Sequence, residues 1–142
     1  MRYLVYTLLL LILVSCTPKP QTINYGADAC NFCRMTIVDA QHAAELVSTK
    51  GKAYKFDAIE CMVQYLQDNK EQTYAFQLVN NYLEAGQLID ATQSTFLVSP
   101  NIPSPMGANL SAFENKTVAT EWQEEKSGDI YNWIELQAHL NK

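Results

Sequence analysis

The sequence predicts an α+β fold, two packed ββαβ units followed by a short C-terminal helix. Three observations carry this reading. Short strand-like segments bounded by turn residues recur along the chain. Between two of them, Ile59, Met62, Val63 and Leu66 take the i, i+3, i+4, i+7 spacing of an amphipathic helix. The second half then repeats the plan: Phe56 before a helix matches Phe113 before a helix, and Tyr65 matches Trp122, at one spacing of 57 residues. Residue identity between the halves is low, so the repeat rests on pattern alone.

In chain order, Met35 to Asp39 and Ala44 to Ser48 read as extended, and Lys50-Gly51-Lys52 turns the chain back into Ala53 to Phe56 as a hairpin. Asp57-Ala58-Ile59-Glu60 resembles a capping-box start, with Asp57 and Glu60 capping a helix that runs to about Asn69. Tyr74 to Val79 returns as a strand. In the second half, Leu88 to Ser99 and Leu110 to Phe113 read as strands, Asn115 to Lys126 as a helix, Asp129 to Trp133 as extended and Glu135 to Leu140 as the terminal helix. The units are expected over residues 29–80 and 87–142.

The N-terminus reads as a targeting segment. Arg2 supplies a basic side chain, and Leu4 to Val14 forms an apolar run of 11 residues, broken only by Tyr6 and Thr7. A helix needs about 20 residues to cross a bilayer core, so this run is too short to span and fits a signal-peptide core. It ends in Leu13-Val14-Ser15-Cys16, which resembles a bacterial lipobox. Residues 1–15 are therefore expected to be removed and Cys16 to carry the acyl chains, a palmitate-type modification that anchors a protein stably when two or more chains are present. Thr17 follows Cys16, so nothing specifies the inner or the outer membrane. Residues 16–28, with Pro18, Pro20 and Gly26, read as a tether to a domain over residues 29–142 that faces the periplasm.

The remaining chain is one domain's worth, and its net charge of −6, the full chain's −5 less the charge of Arg2, with no Lys/Arg cluster leaves no footprint for nucleic acid. Three cysteines remain beyond Cys16: Cys30, Cys33 and Cys61. A purely structural disulfide framework in an oxidising compartment would use an even number. At least one thiol is then free, or all three have other work.

The chemistry concentrates in Cys30-Asn31-Phe32-Cys33-Arg34-Met35. A CxxC pair can close a disulfide, clamp a metal or do nothing. Met35 shifts the weighing, because residues i and i+2 of an extended strand point the same way, so Cys33 and Met35 can share one ion. Thiolate with thioether selects soft Cu(I) over Zn(II). A second thioether lies in Pro103-Ser104-Pro105-Met106-Gly107, where Met106 sits at a loop tip without amphipathic partners, suited to capture and release. The competing reading makes Met35 and Met106 core residues. Cys61 and Met62 fall inside the first helix, Met62 on its apolar stripe and Cys61 as a buried thiol. His42 reads as structural and His139 as solvent-exposed.

These landmarks together resemble the NosL-type lipoproteins, accessory proteins of nitrous oxide reductase maturation. The resemblance runs from the lipobox through Cys30-x-x-Cys33-x-Met35, Thr36-Ile37-x-Asp39, Ala43-Ala44-Glu45, Lys55-Phe56-Asp57 and Cys61-Met62. It continues in Leu88-Ile89-Asp90-Ala91, Pro105-Met106-Gly107 and Ser111-Ala112-Phe113. It implies a pair of ββαβ units and a Cu(I) chaperone that is not an enzyme. It also implies delivery to a cuproprotein, nitrous oxide reductase, alongside an ABC-type membrane complex. The family's metal-binding residues fall on Cys33, Met35 and Met106. Cys30 exceeds that set, which leaves a disulfide or an alternative ligand set open.

Two other functional classes compete: a structural or assembly lipoprotein with no metal, and an envelope thiol–disulfide oxidoreductase using Cys30 and Cys33. The oxidoreductase would want its CxxC at a helix N-terminus, where the dipole lowers a thiol pKa, and the strand pattern around Met35 argues against that. The chain contains no Gly-x-Ser-x-Gly elbow and no His-Glu-x-x-His pair.

Overall fold

The computed structural model describes residues 17–141; the leader and Cys16 lie outside the described residues. Ten elements follow in order: β1 (Ala44–Ser48), β2 (Ala53–Phe56), α1 (Ile59–Asp68), β3 (Tyr74–Asn80), β4 (Leu88–Asp90), β5 (Thr95–Val98), β6 (Leu110–Phe113), α2 (Lys116–Lys126), β7 (Asp129–Tyr131) and α3 (Trp133–Leu140). They form an α+β fold with two antiparallel sheets, ordered β2-β1-β3-β4 and β6-β5-β7.

Within each sheet the first strand of the unit lies between the second and the third, so both halves are ββαβ units of one topology. The equivalence extends to side chains. Tyr65 of α1 packs on Phe56 at the end of β2, ring centroids 5.2 Å apart, and Trp122 of α2 packs on Phe113 at the end of β6 at 6.0 Å. An aromatic that closes a strand and one that faces it from the following helix thus recur as a pair. The first hairpin forms because Gly51 takes φ +83°, a backbone conformation that costs other residues more, while Ser48 N–H donates to Lys52 O at 2.8 Å.

A single buried cluster joins the halves. Ile23, Phe56, Ile59 and Met62 from the first unit side meet Phe96, Leu110, Trp133 and Leu136 from the second. Met62 is fully buried, as its place on the apolar stripe predicts.

The structure corrects several sequence expectations. Met35 to Asp39 is not a strand: Arg34 takes φ 68°, which breaks extended backbone, and only Thr36 forms a bridge, to Ala29. Leu88 to Ser99 is two strands in different sheets. Asp90 Oδ1 accepts from Thr92 N–H at 2.8 Å and Thr92 Oγ1 at 2.7 Å, a side-chain turn that ends β4 on the first sheet before β5 starts the second. Trp133 belongs to α3, not to the last strand, because Asn132 and Glu135 form a capping box that starts the helix there. Neither Asp57 nor Glu60 caps α1; Ala58 occupies the N-cap with no side-chain bond. Finally, much of the expected tether is part of the folded body. Ile23 is buried, Gln21 N–H donates to Glu45 Oε1 at 2.8 Å, and Lys55 Nζ holds both Thr22 O and the Asp28 carboxylate at 2.6 Å.

Candidate metal site

The CxxC segment folds as a tight turn, not a strand. Cys30 N–H donates to Met35 O at 2.8 Å and Arg34 N–H to Cys30 O at 3.1 Å, so the chain doubles back within six residues. Asn31 fastens this turn to β2, the edge strand of its sheet: its N–H donates to Lys55 O at 2.8 Å, and its Oδ1 accepts from Lys55 N–H at 2.7 Å. An edge strand presents unpaired backbone groups, and here the turn takes up those of Lys55. β2 then leads directly into α1, whose first turn carries Cys61.

This path brings three thiols together. The Sγ atoms of Cys30, Cys33 and Cys61 all lie within 4.8 Å of one another. Cys30 and Cys61 are buried and Cys33 is half-buried, so approach from solvent is on the Cys33 side. Phe32, Met35 and Val38, on the same stretch of chain as Cys33, are large apolar side chains left exposed.

The three sulfurs are electrostatically unlike. Cys30 is held well below the ordinary thiol range, first by the Cys61 thiol donating to it and then by the backbone N–H groups of Asp57, Cys33 and Phe32. Cys61 is pushed far up, chiefly because its proton is engaged by the Cys30 sulfur, with burial adding to the effect. Burial is also the main reason Cys33 is raised. Of the three sulfurs, Cys30 is the one whose surroundings most favour the charged form. Cysteine sulfur grouped at this spacing suits a soft ion, and thiols release their protons as they bind one.

Around the cluster, Asp57 is 2% exposed and its carboxyl is pushed up by burial; it accepts from Val38 N–H, while its Oδ1 has no partner among the described residues. Met106 stands 42% exposed on a loop tied to α1 by Glu60, whose Oε1 accepts from Ser104 Oγ at 2.6 Å and from Ala108 N–H at 3.2 Å. Met35 is 53% exposed just past the turn.

Of the expected site residues, Cys30 and Cys33 thus come together, and their third neighbour is Cys61, which the sequence placed only as a buried helix thiol. The odd cysteine count was the one signal for it, because three thiols left over from disulfide pairing invite a shared site. The strand argument that put Met35 beside Cys33 fails at Arg34, so nothing in the local backbone period supports that pair. His42 is a structural residue: Nδ1 faces Asp39 Oδ2 at 2.9 Å and Nε2 faces Ser111 Oγ at 3.2 Å. That Asp–His–Ser chain has the order of a hydrolytic triad, yet Ser111 has no exposed surface for a substrate to reach. His139 is half-buried against Tyr131, ring centroids 4.6 Å apart, and not freely exposed.

The sequence matches the family model NosL over residues 20–140. The chain belongs to the NosL family. A crystal structure titled as the copper chaperone NosL from Shewanella denitrificans superposes with a TM-score of 0.71 at 22% identity, covering 82% of this chain and 94% of that one. The two proteins share the fold. No curated protein matched the sequence. The matched region takes in the thiol cluster, the Glu60-tied loop and both units.

Proposed function

We propose that this NosL-family protein is a lipid-anchored Cu(I) carrier that hands its cargo to a cuproprotein in the envelope. The observation that carries the reading is the cluster of three cysteine sulfurs within 4.8 Å of one another, two of them buried and Cys33 half-open to solvent. Cu(I) enters on the Cys33 side, bonds to the Cys30 thiolate, and displaces protons from Cys33 and Cys61. Met35 and Met106 are the thioether ligands proposed to complete or cover the ion. Because the neutral thioethers leave more readily than the cysteine sulfurs, the open Cys33 side lets a partner's sulfur or imidazole attack before the ion is free. The lipobox at Leu13-Val14-Ser15-Cys16 supports acylation of Cys16 and a periplasm-facing position on the inner or outer membrane. Nitrous oxide reductase, served through an ABC-type membrane complex, is the proposed recipient because the chain resembles that family along its length.

The oxidoreductase alternative fares worse against the geometry. Such an enzyme presents its low-pKa thiolate to solvent at a helix N-terminus. Here the sulfur whose pKa is lowered, Cys30, is fully buried, and the reachable sulfur, Cys33, is raised.

Anaerobic competition titration of the reduced protein against a Cu(I) chelator tests the proposal. About one Cu(I) per chain is expected, with Zn(II) far weaker. Cys30→Ser, Cys33→Ser and Cys61→Ser should each weaken Cu(I) binding by at least about 100-fold, since even residues that only support metal ligands cost 10- to 100-fold. Zinc binding that matches copper, or three serine variants with unchanged affinity, would reject the reading. Mass spectrometry of protein from membranes checks the anchor: an unmodified Cys16 or cleavage elsewhere would remove it.

A further inference from the structure

The loop that carries Met106 is fixed at two points. At its base, Ser99 N–H donates to Asn109 O at 2.9 Å, and Ser99 Oγ and Asn101 Nδ2 donate to the last carbonyl of α2, Lys126 O, at 2.7 and 2.8 Å. At its tip, Gly107 N–H donates to Ser104 O at 3.0 Å, closing a tight turn around Pro105-Met106. That turn is gripped by Glu60. One oxygen, Oε1, takes Ser104 Oγ at 2.6 Å on one side of Met106 and Ala108 N–H at 3.2 Å on the other. Ser104 is buried, and Glu60 is 8% exposed, so these bonds are shielded from competing water.

Glu60 lies in the first turn of α1, where its charge suits the helix N-terminus, but it makes no cap bond, and its hydrogen bonds go to the loop instead. Its Oε2 is buried with no partner among the described residues, an arrangement that costs stability. What the carboxylate does is locate the loop. Glu60 directly precedes Cys61 in α1, so the grip sets Met106's turn relative to the same helical turn that supplies a sulfur to the cluster. We propose that Glu60 is a positioning residue that latches the Met106 loop to the thiol cluster and so sets the rate at which copper leaves. The inference rests on the copper-carrier reading above. With the latch closed, the Met106 turn stays against the first turn of α1, next to Cys61 in sequence, and on the carrier reading its thioether covers the ion from there. When it opens, the ion keeps only its thiolates and an incoming ligand meets an uncovered face.

The test uses purified full-length protein, reduced and loaded with Cu(I), with the copper–thiolate ultraviolet band as the measure of loading. Release to excess chelator is followed by stopped flow for Glu60→Ala, Glu60→Gln and Ser104→Ala, each alone and combined with Met106→Leu. Glu60→Ala should release copper about tenfold faster, the scale expected when hydrogen bonds to a carboxylate are lost. Glu60→Gln keeps a side-chain oxygen acceptor and should stay within about threefold of the parent. In the Met106→Leu background, Glu60→Ala should add less than about twofold, because the latch then holds nothing that touches the ion. In the metal-free protein, Glu60→Ala should also lose protection of the Ala108 amide against hydrogen exchange. Equal acceleration with and without Met106, or no acceleration, would overturn the latch. Should Glu60→Ala not fold, Ser104→Ala must show the same dependence on Met106, and its failure to do so overturns the proposal equally. If the parent shows no copper–thiolate band, the carrier reading falls and the latch with it. A normal band with release insensitive to Glu60 removes the latch alone.

Discussion

At the residue scale, the three cysteines differ through their neighbours, not through their own chemistry. Cys30 accepts from a thiol and three backbone N–H groups, and that donor set favours its charged form. Its folded-state pKa is depressed below the ordinary value of 9.0. The stabilisation it brings is therefore fully present above that value and is lost as pH falls through the depressed one. In reduced, metal-free protein we expect the urea midpoint of the parent to exceed that of Cys30→Ser by more at neutral pH than in acid. Thiolate ultraviolet absorption at neutral pH should be present in the parent and in Cys33→Ser and absent in Cys30→Ser. A Cys30→Ser protein that keeps the band would move the thiolate elsewhere.

At the element scale, the site depends on a turn docked on a strand edge. Asn31 makes both bonds that hold the CxxC turn to β2, while Cys61 arrives on α1 immediately after that strand. Asn31→Ala removes the Oδ1 acceptor and should cost about 1 kcal/mol of stability. Because the turn carries two of the three sulfurs, it should also weaken Cu(I) binding several-fold. Asn132→Ala, which dismantles the capping box of α3, should cost a similar amount, about 1 kcal/mol. Its copper affinity should be unchanged, since α3 supplies no sulfur to the cluster. Paired denaturant melts and chelator titrations separate the two outcomes. Equal effects on copper would mean that stability alone, and not the docking of the turn, controls the site.

At the scale of the whole molecule, the two ββαβ units share a core, so they should unfold together. Leu136 of α3 is fully buried in the cluster that also holds Phe56 and Met62 of the first unit. Leu136→Ala should cost about 2–5 kcal/mol through lost burial and a residual cavity. The far-ultraviolet signal and the exposure of Cys61 to a thiol reagent should then shift to the same lower denaturant midpoint. Two separate midpoints would show that the halves fold independently. His42 ties the halves a second time, reaching from the loop before β1 to Ser111 of β6.

The α+β class and the repeated unit were legible because apolar period and turn residues are local properties: Gly51 sets a hairpin, and Ile59, Met62, Val63 and Leu66 set a helix face. The CxxC segment was legible as soft-ligand chemistry for the same reason. Sequence period could not report the left-handed backbone at Arg34, which turned an expected strand into a closed turn. Nor could it assign Leu88–Asp90 to the first sheet, because strand pairing is a long-range choice. Sequence alone thus determined which residues carry sulfur and which segments bury their faces. Tertiary structure decided which sulfurs meet. Cys61 joins Cys30 and Cys33 only because the CxxC turn docks on the edge of β2 and α1 leaves that strand's end, a coincidence of two packed elements that no local pattern encodes.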